Sequence, residues 1–127
     1  MKKLILILLF SASMFSSSSY AEWTKVSGNA MGTVYVDYER IRKHDGYVYW
    51  WELSDFLKPS PNGMLSAKYY NQGDCKLFRF KRLSYSYHNE PMGDGTAIDN
   101  FTPKNPELTY PIPDSIGEIT LKQVCNR

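Results

Sequence analysis

Apolar and polar residues alternate along this chain in short runs, with turn-forming residues between them. Successive strand side chains point to opposite faces, so such runs predict antiparallel strands with one face buried. "EWTKVSG" (22–28) and "GTVYVDYE" (32–39) supply the first two. "RIRKH" (40–44) and "YVYWWEL" (47–53) flank Asp45-Gly46, a dipeptide suited to a two-residue hairpin turn. After the Pro- and Gly-punctuated loop at 57–63 come "MLSAKYY" (64–70) and "CKLFRFKRLSYSY" (75–87). Asn71-Gln72-Gly73-Asp74 is the expected turn between them.

Residues 88–113 are rich in proline and hold no long periodic run, which predicts an ordered but irregular loop. Ile98, Phe101, Leu108 and Tyr110 are expected to pin it to the sheet. The period then changes. Ser115 with Glu118 three residues on forms a capping box, and Ile116, Ile119, Gln123 and Val124 recur near every 3.6 residues. A short C-terminal helix is expected there. The fold class is α+β: an antiparallel sheet of about six strands with the helix packed on one face.

The first 21 residues stand apart from this pattern. Lys2 and Lys3 precede an apolar run from Leu4 to Phe15, and Ser19-Tyr20-Ala21 offers small residues for cleavage. That is the plan of a secretory signal peptide, too short in its apolar part to cross a bilayer. The expected domain is residues 22–127, exported to the periplasm, the medium or the cell surface. No cysteine lies near the cleavage point, so no lipid anchor is expected after signal removal. Cys75 and Cys125 are the two cysteines of the chain, and in an oxidising compartment an even pair reads as one disulfide. Closing a loop of about 50 residues contributes about 4 kcal/mol on a chain-entropy argument.

The net charge of +2 rests on Lys2 and Lys3, so the exported part is neutral. A neutral domain lacks the phosphate-neutralising surface that nucleic-acid binding requires. No metalloprotease, phosphate-loop or nucleophile-elbow motif is present. "GDGTAIDN" (93–100) lacks the ligand order and closing glutamate of a calcium loop. Glu52 and Asp55 read as solvated charges at a strand end. The chain is expected to be non-enzymatic and to need no cofactor.

The hairpin turn sets a register. His44 faces Tyr47, Arg42 faces Tyr49 and Arg40 faces Trp51 on one side; Lys43 faces Val48 and Ile41 faces Trp50 on the other. Ile41, Val48 and Trp50 look like the core side under the helix. The remaining ladder of Arg40, Arg42, Tyr47, Tyr49 and Trp51 holds the residue types enriched in protein-binding hot spots. Phe78 and Phe80 are expected beside it, pointing away from the helix.

Several pieces in order resemble the surface-adhesin protein E family of Gram-negative bacteria. They are Asp37, the Trp50-Trp51 strand, Ser66, Asp74-Cys75, the basic strand Arg79 to Arg82, and Pro113-Asp114-Ser115 leading to Val124-Cys125. The resemblance implies an antiparallel sheet with a disulfide-held C-terminal helix. It also implies non-enzymatic protein binding, to a host matrix protein; the ladder of Arg and aromatic residues would equally serve self-association as a homodimer. The alternative is a periplasmic accessory protein, such as a hydrolase inhibitor or an envelope-maintenance component, working through the 88–113 loop.

Overall fold

The computed structural model describes residues 21–127. The signal-peptide reading falls on residues outside that range, Ala21 excepted. Eight strands form one antiparallel sheet: β1 (Thr24–Asn29), β2 (Gly32–Val36), β3 (Arg42–His44), β4 (Tyr47–Phe56), β5 (Ser66–Asp74), β6 (Arg79–His88), β7 (Ala97–Phe101) and β8 (Leu108–Thr109). Helix α1 (Ile116–Cys125) follows. The strand order is β1-β2-β4-β5-β6-β7, with β3 on β4 and β8 on β6. β2 pairs with Glu52–Phe56 and β3 with Tyr47–Tyr49, so the two share one edge of β4. β7 and β8 divide an edge of β6 in the same way.

α1 covers one face. Val36, Val48 and Trp50 from the sheet meet Leu121 and Val124 from the helix, and all five are essentially buried. Burying side chains of this size stabilises by about 1.5–3 kcal/mol each, so this layer is a large source of folding energy. Ser115 Oγ accepts from Glu118 N at 3.2 Å, and Glu118 Oε1 accepts from Asp114 N at 3.0 Å. The helix thus starts where the capping pattern places it. Its buried side is Thr120, Leu121 and Val124, whereas Gln123 is exposed. The Cys75–Cys125 disulfide ties the end of α1 to the β5–β6 connection.

Two expectations need correction. Asn71-Gln72-Gly73-Asp74 is strand, not turn: β5 runs through Asp74 and the chain reverses over Cys75–Phe78. Gly73 is there for space. A Cβ at that position would lie 2.8 Å from Trp50 Cζ3 and 3.0 Å from Val48 Cγ1. The Asp74 carboxylate holds the turn through the N–H groups of Lys76 and Leu77, each at 3.1 Å. Those hydrogen bonds favour the charged form and hold its pKa below the usual value.

Residues 88–113 are also more regular than expected. β7 pairs along Tyr85–His88 and β8 along Phe80–Lys81. Between β6 and β7, a 3-10 turn at Pro91–Gly93 is pinned by Met92 N to Asp55 Oδ1 (2.7 Å) and Gly93 N to Ser66 Oγ (2.8 Å). It closes over Leu53, which is fully buried on the face opposite the helix.

Candidate functional site

The hairpin register holds: Arg42 pairs with Tyr49, Lys43 with Val48 and His44 with Tyr47. Asp45 (φ 52°) and Gly46 (φ 86°) both adopt the left-handed conformation that a tight hairpin turn requires. Strand parity then puts Tyr47, Tyr49 and Trp51 on the face without the helix. β5 adds Tyr70 and Gln72 beside them. The Tyr70 ring lies 4.9 Å from Trp51 and 6.2 Å from Tyr49, centroid to centroid, and Gln72 Nε2 donates to Tyr49 Oη at 2.7 Å.

Arg40 arrives by a different route from the one expected. It lies in a 3-10 turn at Tyr38–Arg40, outside β3, and the backbone opposite Trp51 is Asp37, whose N–H donates to Trp51 O at 3.3 Å. Buried Asp37 pairs with Arg40 Nε at 3.3 Å and turns the guanidinium back towards the sheet. Arg40, Arg42, Trp51 and Tyr70 consequently line a shallow depression of about 390 Å³. Cationic and aromatic side chains with few apolar aliphatics around them can bind by stacking and hydrogen bonding together.

Phe78 and Phe80 do not belong to this face. Both pack against the core on the helix side, with the Phe80 ring 6.3 Å from Trp50. The expected parity fails because Phe78 sits in the turn with φ 53° and because β6 starts only at Arg79. Gly73 pairs with Phe80, which therefore shares the face of Val48 and Trp50.

The model of surface-adhesin protein E matches residues 23–126. The chain belongs to that family. Two solved structures of Haemophilus influenzae protein E share the architecture. Crystal form II superposes with a TM-score of 0.62 at 16% identity, covering 91% of this chain and 97% of that one. Protein E from a non-typeable strain gives 0.55 at 16% identity, covering 87% and 77%. No curated protein matches the chain.

In this adhesin E chain the helix side of the sheet holds polar chemistry that the sequence pattern did not reveal. Glu52 is not a solvated strand-end charge. It is buried, and its Oε1 accepts from Trp50 Nε1 at 3.1 Å and from Asn71 Nδ2 at 3.2 Å. Burial raises its carboxyl pKa, with the nearby Arg82 charge pulling the other way. Arg82 stacks over the Tyr69 ring at 3.7 Å. Beyond it Tyr69, Tyr85 and Phe101 follow in sequence across the strands, at 6.0 and 4.9 Å between neighbouring rings. One signal was available: Glu52 shares the parity of Val48 and Trp50, so a core-facing strand position carries a charge.

Among the described residues no helix is long and apolar enough to cross a membrane, and no three His, Cys, Asp or Glu side chains gather as a metal site.

Proposed function

We propose that this protein is an exported, non-enzymatic binding module that engages a protein partner through the helix-free face of its sheet. One observation supports the reading most: the Tyr49–Tyr70–Trp51 array with Arg40 and Arg42 at its side, on a face that the helix leaves open. Aromatic and Arg side chains dominate the energetics of protein interfaces. Membership of a family described as surface adhesins supports both export and binding without catalysis. The partner is a host matrix protein or a second copy of the chain. Tyr47, 39% exposed, extends the same surface to the hairpin tip.

The alternative, an inhibitor working through residues 88–113, has less support. An inhibitory loop projects from its domain, whereas this segment is tied down by β7, by β8 and by the turn over Leu53.

Trp51→Ala tests the contact face. It should lower binding to immobilised matrix proteins, or dissociate a dimer seen by sedimentation, by about tenfold or more, as expected for truncating an interface hot spot. Unchanged association in both assays would reject this face. Export is tested by applying protease to intact cells bearing a tagged form, then to cells with a permeabilised outer membrane. Cleavage on intact cells supports surface display. Protection until permeabilisation places the protein in the periplasm and rejects the adhesion reading.

A further inference from the structure

A cavity of about 240 Å³ opens between the first turn of α1 and the sheet, on the face opposite the proposed contact surface. Val34, Trp50, Phe80 and Ile116 give it apolar walls, and Glu52 and Arg82 give it charge. Its size suits one side chain or a small molecule rather than a drug-sized ligand. Both hydrogen bonds to Glu52 fall on Oε1, which leaves Oε2 for whatever enters. Arg82 does not neutralise the carboxylate within salt-bridge distance; its guanidinium is turned onto the Tyr69 ring instead. The donors at the start of α1 are engaged by the capping box, where Glu118 and Asp114 also place negative charge.

A buried carboxylate with no salt-bridge partner is costly to the fold unless something compensates it, and such groups cluster at functional sites. We propose that this cavity binds an ammonium group carried on a short apolar stem, with Glu52 as its counter-ion and the Trp50 and Phe80 rings against its methylenes. A free alkylamine and the lysine side chain of a partner protein share this chemistry. Entry of the cation gives Glu52 a charge partner in direct contact, which Arg82, acting on it only from a distance, does not, and the aromatic walls favour both the stem and its positive end.

The Trp50 indole N–H is a built-in reporter because it donates directly to Glu52. Titrating nitrogen-15-labelled protein with butylammonium should shift the Trp50 indole resonance saturably and leave those of Trp23 and Trp51 in place. Butanol, with the same stem, and butyrate, with the same number of carbons, should bind at least about tenfold more weakly, the difference expected for losing a charge-assisted hydrogen bond. Burial raises the Glu52 pKa, and Arg82 on β6 and Tyr69 on β5 are the titratable groups acting at the site. Butylammonium affinity should therefore rise with pH as Glu52 ionises.

Glu52→Gln keeps an acceptor for Trp50 and Asn71 and should abolish the preference for butylammonium over butanol. Should that variant fail to fold, the comparison of the three probes on the unmodified protein decides. Equal binding of all three, tighter binding of butyrate, or no saturable shift overturns the proposal. Nα-acetyl-lysine amide, whose side-chain ammonium is free, separates the sources: if it binds as well as butylammonium the cavity captures a side chain, and if it is excluded the ligand is a free amine.

Discussion

Trp50 and Trp51 are neighbours in the chain and occupy opposite environments. Trp50 is 1% exposed, hydrogen-bonded to Glu52 and packed in the layer under α1. Trp51 is half-buried and lies against Tyr70 beside Arg40 and Arg42. The contrast follows from strand geometry alone, since consecutive side chains leave a sheet on opposite sides. It teaches that one aromatic-rich strand can bury one parity under a helix and leave the other for the proposed contact face. The helix decides which parity does which.

The contrast can be broken most severely on the helix side. Trp50→Ala removes the largest buried side chain and leaves Glu52 short of one donor. It should cost about 3–5 kcal/mol, measured as the shift of the denaturant unfolding midpoint. A loss under about 1 kcal/mol would mean that the helix face is not the core. Replacing Cys125 by Ser should come next. Freeing the end of α1 from the β5–β6 turn should cost about 2–5 kcal/mol, read as a lower melting temperature, and an unchanged melt would remove the disulfide from the stability account. On the helix-free side, Trp51→Ala should cost about 1 kcal/mol from the lost ring pair with Tyr70, with its main effect on association.

How far the sequence carries to this picture depends on the distance over which each feature is fixed. The Asp45-Gly46 hairpin and the Ser115 cap are set by residues within a few positions, and both were legible. So was the pairing of the only two cysteines. The side taken by Phe78 and Phe80 was not. It hangs on where β5 ends, and Gly73, whose composition resembles a turn, is held in the strand by the close approach of Trp50. Residues 97–101 and 108–109 lack apolar alternation because they are edge strands stabilised by backbone pairing to β6, so no pattern marks them. The Glu52 cluster was missed for a similar reason. Asn71 and Arg82 reach it from other strands, and only the register between β4, β5 and β6 brings them together.

The contact face was half legible. Arg42, Tyr47, Tyr49 and Trp51 follow from the hairpin, whereas Tyr70 and Gln72 come from a strand whose pairing the turn does not fix. Arg40 reaches the face through its ion pair with Asp37 rather than through the ladder.

The most direct test of the account sets the two tryptophans side by side: thermal melting and sedimentation of Trp50→Ala and Trp51→Ala against the unmodified protein, with matrix-protein binding measured on the same samples. Trp50→Ala should melt far lower, and Trp51→Ala should melt nearly as the parent while losing its partner or its dimer. A Trp51→Ala protein that unfolds, or one that keeps every association intact, would contradict the division of labour between the two faces.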